Sequence, residues 1–139
     1  MTNLDALSHI ALVVRDPSRT AVFFEELFAA KIVRRRDDDG HDEMYIRLGG
    51  VWFVLVAADV ERPLVGDHVA FRASTEQLQS FAGKLRRMGH AYQMARSDTA
   101  LYFTDFDNHV FEIDSVDLNL ELPVKVRQIV QEAATHGDA

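Results

Sequence analysis

The sequence predicts an α+β fold built from two βαβββ modules that follow one another along the chain. Hydrophobic periodicity gives the same order of elements twice: a strand, a helix and three further strands. The segments His9–Leu12 and His68–Phe71 align 59 positions apart, and each opens a strand that leads into a helix. Tyr45 and Tyr102 align at an offset of 57 in the later strands. With 139 residues, the chain has the length of one ordinary domain.

Module one is predicted over about residues 7–58. Asp16 and Pro17 end the first strand and signal the start of the helix that follows. The charged run Arg34–Asp39, which ends in Gly40, predicts a solvated hairpin loop. The predicted strands and helix are Ile10–Val14, Ser18–Ala30 (the helix), Lys31–Arg35, Glu43–Leu48 and Val51–Ala57.

Module two is predicted over about residues 68–115, after a linker at 59–67 that contains Pro63 and Gly66. A further helical segment is expected at about residues 123–134. The predicted elements of module two are His68–Ala73, Thr75–Met88 (the helix), Tyr92–Met94, Leu101–Thr104 and Val110–Asp114.

Composition restricts the possible functions. Hydrophobic residues make up 47% and charged residues 27%, as in a soluble globular protein. A net charge of −7 argues against nucleic acids and anionic membranes as partners. The chain has no cysteine, so thiolate chemistry and disulfides are excluded. It shows neither a signal peptide nor the roughly 20 apolar residues that cross a bilayer, so we expect a cytoplasmic protein.

Three residues are candidate metal ligands. His9 and His68 open the repeated strand, and Glu112 lies in the last strand of module two, within the apolar segment Val110–Ile113. Burying such a carboxylate is costly unless a cation or hydrogen bonds compensate it. Two imidazoles and a carboxylate would form a three-ligand site for a divalent cation. The alternative is that both histidines are ordinary core or edge residues and that Glu112 faces solvent.

Four motifs resemble the vicinal oxygen chelate superfamily, which includes glyoxalase I, extradiol dioxygenases and bleomycin-binding proteins. They are Leu7–Asp16, Gly49–Trp52, Asp67–Arg72 and Leu101–Glu112, and the resemblance runs from about Leu7 to Asp114. Within the superfamily, the chain is most similar to fosfomycin-resistance proteins of the epoxide-hydrolase type. The resemblance implies paired βαβββ modules that are completed in a homodimer.

The resemblance also implies a metal centre. It makes His9, His68 and Glu112 the ligands of a divalent metal, Mn²⁺ first, with Fe²⁺, Ni²⁺ or Zn²⁺ as alternatives. The fourth ligand position used by glyoxalases is expected near Leu55, which cannot bind a metal. Three protein ligands with open coordination are therefore expected.

Glu43 lies six residues before Gly49, where the hydrolase-type relatives carry their catalytic glutamate. It would deprotonate water for attack on an epoxide. The alternative is a surface glutamate at the start of an edge strand. Tyr102 matches an aromatic pocket position of the family and would donate a hydrogen bond to an oxyanion.

Four further residues are candidates for substrate binding. Trp52 matches another aromatic pocket position, although core packing is the more common role of such a residue. Arg47 shares a strand face with Glu43 and would supply positive charge, while Arg96 and Ser97 lie in the short segment 91–100. For Arg47, a salt bridge or plain exposure is the alternative.

The resemblance leaves three possible functions, each of which involves a small molecule. The first is metal-dependent opening of the epoxide of fosfomycin or a related anion. The second is other chemistry of the superfamily, such as that of an isomerase, a lyase or an iron-dependent extradiol dioxygenase. The third is non-catalytic sequestration of a small molecule. The chain departs from the fosfomycin pattern in the short segment 91–100 and in carrying Glu121 where the family has an arginine.

Overall fold

The computed structural model describes residues 3–120, which form two compact units. The first unit comprises the described residues up to Val65 together with Asp105–His109. The second comprises Gly66–Thr104 and the described chain from Val110 onward. The helical segment predicted at about 123–134 lies outside the described residues.

The first unit consists of a four-stranded sheet and one helix. Its helix begins after Asp16, whose carboxylate accepts a 3.1 Å hydrogen bond from the amide of Arg19. It ends at Ala29, which adopts the left-handed conformation with φ of 54°. The elements are β1 (His9–Val14), α1 (Pro17–Phe28), β2 (Lys31–Arg36), β3 (Asp42–Leu48) and β4 (Val51–Ala57).

The second unit repeats this arrangement. Its helix begins with a capping box, in which Ser74 and Gln77 each bond the other's backbone amide through their side chains. The elements are β5 (His68–Arg72), α2 (Thr75–Arg87), β6 (Tyr92–Ala95), β7 (Ala100–Thr104) and β8 (Val110–Asp114). The predicted fold of paired βαβββ modules is confirmed.

The two sheets have the same strand order. The first is β1-β4-β3-β2 and the second β5-β8-β7-β6. In each, the first and last strands of the module pair in parallel, and the other pairs are antiparallel. Tyr45 pairs with Val54, and Tyr102 pairs with Glu112. The repeat therefore aligns the two tyrosines, as predicted, and makes Val54 the counterpart of Glu112.

One face of each sheet is buried against its helix, and the other is open. In the first unit, Phe24, Ile46 and Phe53 are fully buried between α1 and the sheet. In the second unit, Leu78 of α2 and Phe111 of β8 are fully buried in the same way. Side chains alternate between the two faces of a strand, so the residues between these core positions point to the open face.

The charged run before Gly40 is a loop only in part. Arg34 and Arg35 lie in a strand, as the prediction Lys31–Arg35 has it, and β2 extends one residue further to Arg36. Arg34–Arg36 pair with Asp42–Met44, so the turn begins only at Asp37. Arg36 forms an ion pair of 3.2 Å with Asp42 directly across the hairpin. Opposite charges on adjacent strands thus extend a hairpin whose sequence alone resembles a loop.

Neither described helix is long and apolar enough to cross a membrane.

Candidate metal and substrate site

His68, Glu112 and Tyr102 lie on the open face of the second unit's sheet. Glu112 is in the central strand β8, directly across from Tyr102 in β7. His68 opens the neighbouring strand β5. Its Nε2 lies 3.7 Å from Oε1 of Glu112, and its ring packs edge-on against that of Tyr102 at 6.0 Å. The structure therefore brings together two of the predicted ligands and the predicted oxyanion donor.

The imidazole of His68 is oriented by the backbone. Its Nδ1 lies 2.9 Å from the carbonyl oxygen of Gly66 and donates a hydrogen bond to it. This bond places the proton of the neutral ring on Nδ1 and leaves the Nε2 lone pair facing Glu112. A nitrogen lone pair and a carboxylate oxygen that face one another suit a shared cation. Metal-ligating histidines are commonly oriented by such a bond from the other ring nitrogen.

Glu112 is buried, with 7% of its surface exposed, and two further side chains contact its carboxylate. It accepts a hydrogen bond from the Tyr102 hydroxyl. Nη2 of Arg96 lies 3.5 Å from Oε2. The bond to Glu112 is the main cause that raises the pKa of Tyr102, and partial burial adds to it. The phenol consequently stays protonated and able to donate.

Arg96 contacts two further groups on this face. Its Nη2 lies 3.1 Å from Oδ2 of Asp114, and its Nη1 donates a 3.1 Å hydrogen bond to the Tyr102 hydroxyl oxygen. The residue begins a turn in which Arg96, Ser97 and Asp98 all have positive φ, at 50°, 54° and 63°. Ser97 is exposed in this turn.

The open face of the first unit carries the other predicted residues. The register places His9, Trp52 and Arg47 side by side across three strands. His9 is exposed, and its Nδ1 lies 2.9 Å from the Ser8 hydroxyl. The guanidinium of Arg47 lies 5.4 Å from the centre of the Trp52 ring, a cation–π contact. Trp52 therefore lies on the open face and not in the core.

Glu43 lies on the same open face, two residues before Tyr45 in β3. Its Oε2 accepts a 2.6 Å hydrogen bond from the Tyr45 hydroxyl and a 2.9 Å bond from Nε of Arg35. These two bonds, that of Tyr45 first, lower the pKa of Glu43. Glu43 is therefore engaged by two partners, and 22% of its side chain is exposed. Its strand β3 is an inner strand of the sheet and not an edge strand.

The position that corresponds to the fourth ligand of glyoxalases is Val54, one residue before the expected Leu55. Leu55 is 4% exposed and faces the core. Val54, the counterpart of Glu112, lies on the open face instead. Valine cannot bind a metal either, so the expectation of three protein ligands is unchanged.

A buried polar turn in the first unit was not predicted as a feature of its own. Asp105 is 4% exposed, and its Oδ1 accepts 2.9 Å hydrogen bonds from the amides of Asp107 and His109. Its Oδ2 lies 2.7 Å from Nδ1 of His109. Asp107 in turn forms a 2.9 Å ion pair with Arg15. These contacts give His109 a structural role in this turn.

The chain has homologues among fosfomycin-resistance proteins, although no family model matches it. It is 28% identical over 127 residues to the fosfomycin resistance protein FosX of Listeria innocua serovar 6a, covering 86% of this chain and 96% of that protein. It is 26% identical over 118 residues to the metallothiol transferase FosB of Lysinibacillus sphaericus, covering 78% of this chain and 81% of that protein.

Solved structures show the same fold. A FosX variant from Listeria monocytogenes, complexed with Mn(II) and 1S,2S-dihydroxypropylphosphonic acid, superposes with a TM-score of 0.75 at 26% identity, covering 87% of this chain and 100% of that one. A glyoxylase/bleomycin resistance/dioxygenase domain from Frankia sp. EAN1pec gives 0.68 at 26% identity, with coverages of 83% and 94%. The resemblance stated from the sequence is thereby confirmed.

Proposed function

We propose, from the premise that this chain is a homologue of fosfomycin-resistance proteins, that it is a metal-dependent enzyme which opens the epoxide of fosfomycin or a related small anion by adding water. The observation that carries this proposal is the His68–Glu112 pair, whose Nε2 and Oε1 face each other at 3.7 Å beside a hydroxyl donor. A vicinal diol is the product that water and an epoxide form, and the FosX relative is complexed with such a diol and Mn(II).

His9, His68 and Glu112 would hold the metal. The donor set of two imidazoles and one carboxylate fits Mn²⁺, and also Fe²⁺, Ni²⁺ or Zn²⁺. A bound divalent metal supplies Lewis-acid stabilisation of the epoxide oxygen. The fit rests on the buried Glu112 carboxylate and on the Gly66 carbonyl, which bonds Nδ1 of His68 and so turns Nε2 toward Glu112.

Glu43 would act as the general base. It takes a proton from water while the water oxygen bonds to one ring carbon and the carbon–oxygen bond of the epoxide breaks. Its lowered pKa keeps Glu43 ionised and ready to accept that proton. The Tyr102 hydroxyl would donate a hydrogen bond to the oxygen that leaves the ring carbon. A proton from solvent would then complete the diol, and Glu43 would release the proton it has taken to solvent.

Each unit offers an arginine on its open face that would bind the substrate's anionic group. Arg47, with Trp52 beneath its guanidinium, and Arg96, next to the exposed Ser97, are the candidates. In a chain with a net charge of −7, such local cations are needed to bind an anion.

A homodimer would complete the site. Val13 and Val56 on the open face of the first unit are 45% and 43% exposed, which is high for aliphatic side chains in strands. A second copy laid against the open sheets would cover them. Sedimentation of the purified protein tests this point.

Thiol transfer to the epoxide is the second candidate, and similarity to metallothiol transferase FosB of Lysinibacillus sphaericus favours it. Because the chain has no cysteine, a small-molecule thiol would have to be the second substrate.

One experiment separates the candidates. The Mn²⁺-loaded protein is incubated with fosfomycin, with and without a small thiol, and the product is identified by phosphorus NMR. We expect the diol in both cases, a large loss of rate in Glu43→Gln, and an unchanged rate in Glu26→Gln, which alters an exposed carboxylate of α1. A thiol adduct alone would favour the second candidate. Full activity of Glu43→Gln would remove Glu43 as the base.

A further inference from the structure

Arg96 occupies an unusual position, because its guanidinium lies beside a carboxylate that is also a proposed metal ligand. It is 3.5 Å from Glu112 and 3.1 Å from Asp114, and it bonds the Tyr102 hydroxyl at 3.1 Å. Two carboxylates and one guanidinium leave a single net negative charge at this point of the sheet. Arg96 is therefore a cation that compensates the charge of Glu112.

The backbone of Arg96 is held in place while its side chain reaches out. Its carbonyl oxygen accepts bonds from the amide and the hydroxyl of Thr99, at 3.2 and 2.7 Å. Consecutive residues with positive φ further restrict this turn. The side chain is 39% exposed, so a rotation of its torsion angles would carry the guanidinium from Glu112 to solvent without moving the sheet.

A similar trio in the first unit shows what is particular to Arg96. There, Arg35 and Tyr45 both bond Glu43, as Arg96 and Tyr102 both contact Glu112. Arg35, however, is paired with Glu43 by the strand register, so the sheet itself holds the two together. Arg96 reaches Glu112 from a turn outside the sheet, and its contact is the one that a competing cation can replace.

We propose that Arg96 couples the metal to the anionic substrate: a divalent cation at Glu112 displaces its guanidinium, which then binds the substrate's anionic group. The inference rests on the proposed metal site. Two cations near one carboxylate repel each other, so Arg96 weakens metal binding while no anion is present. Once an anion draws the guanidinium away, this repulsion is relieved, and each ligand strengthens the binding of the other.

The test measures Mn²⁺ affinity, which does not depend on turnover. The free Mn²⁺ signal in electron paramagnetic resonance gives Kd for the full chain, with and without propylphosphonate, a phosphonate that lacks the epoxide. The variants are Arg96→Gln, Arg96→Lys and Glu112→Gln. The matched control is Arg86→Gln, since Arg86 is an exposed arginine of the same unit that bonds the Tyr92 hydroxyl.

We expect Arg96→Gln to lower the Kd for Mn²⁺ by about three- to tenfold without the anion. Propylphosphonate should lower the Kd of the wild type by a larger factor than that of Arg96→Gln. Arg96→Lys, which keeps the charge but loses the planar fork, should lie between them. Arg86→Gln should match the wild type throughout.

The outcomes separate this inference from the function on which it rests. If Glu112→Gln binds Mn²⁺ as the wild type does, the proposed metal site fails, and the coupling fails with it. If Glu112→Gln loses Mn²⁺ but Arg96→Gln binds it equally or more weakly than the wild type, the metal site stands and the coupling is wrong. Equal effects of propylphosphonate on the wild type and Arg96→Gln would also overturn the coupling. Circular dichroism verifies that each variant is folded.

Discussion

The Tyr45 hydroxyl donates a 2.6 Å hydrogen bond to Oε2 of Glu43, and Arg35 donates a second bond to the same oxygen. Both bonds favour the ionised carboxylate and lower the pKa of Glu43. The proposed base therefore remains charged to lower pH than a free glutamate. Its proton affinity is correspondingly weaker, which makes the strength of the hydrogen bond from Tyr45 a determinant of the reaction rate.

Removing this hydroxyl in Tyr45→Phe should raise the pKa of Glu43, because the larger of the two stabilising bonds is lost. The acid limb of kcat/KM against pH should then move to higher pH. In the wild type, the pKa of Glu43 is lower in the folded than in the unfolded chain, and this difference adds to the free energy of unfolding. The contribution is complete at pH values above the unfolded-state pKa, and it is lost as the pH falls through the folded-state pKa. Tyr45→Phe should lose part of this contribution. The measurements are a pH–rate profile and urea unfolding at several acidic pH values.

The control is Tyr92→Phe, which removes a tyrosine hydroxyl bonded to Arg86 in the other unit. Its acid limb should coincide with that of the wild type. An unmoved acid limb in Tyr45→Phe would show that the titration of Glu43 does not govern the rate.

Metal binding should stabilise the protein through Glu112. Mn²⁺ at about 100 times its Kd should raise the free energy of unfolding by about 2.7 kcal/mol, because the ligands are assembled only in the folded chain. Glu112→Gln should lose this rise, while Asp98→Asn, in the exposed turn after β6, should keep it. Thermal unfolding with and without Mn²⁺ provides the measurement. An equal rise in Glu112→Gln would place the metal elsewhere.

The buried turn at Asp105 should be important for stability. Asp105→Ala leaves the amides of Asp107 and His109 without their acceptor, and it removes the partner of the His109 ring. We expect a loss of about 3 kcal/mol in the free energy of unfolding. Asp38→Ala, in the exposed hairpin turn, should change it by less than about 0.5 kcal/mol. A comparably small effect of Asp105→Ala in urea unfolding would contradict this role.

Ala29 provides a stabilising substitution. It ends α1 in the left-handed conformation, which is costly for alanine and free of strain for glycine. Ala29→Gly should therefore raise the free energy of unfolding by about 1 kcal/mol. Ala91→Gly should be neutral or destabilising, since Ala91 is an exposed alanine outside the positive-φ residues. A decrease in the melting temperature of Ala29→Gly would contradict the argument.

The order of elements could be predicted from the sequence because periodicity distinguishes strands from helices, and because the chain contains the pattern twice. The alignment of Tyr45 with Tyr102 agrees with the observed register. The counterpart of Glu112 was placed one residue late, at Leu55, because an offset does not show which face a side chain occupies. Only the pairing of Tyr45 with Val54 decides that.

The contacts around the candidate site could not be predicted from the sequence in the same way. Glu43 and Tyr102 were identified through the family resemblance, but the partners that set their pKa values depend on strand register. The contact of Arg96 with Glu112 depends on three successive left-handed residues. Arg96 and Ser97 are of residue types that rarely adopt that conformation, so nothing in the local sequence indicates it.

The parallel pairing of β5 with β8 has a consequence for the order in which the chain folds. These strands bring His68 beside Glu112, although the two residues are more than forty positions apart and are separated by α2, β6 and β7. Contacts across so long a loop form late, because chain closure is entropically costly. The proposed ligand pair is thus assembled only when its unit is complete, and we expect a partly folded chain, which exposes each of the two residues singly, to retain little metal.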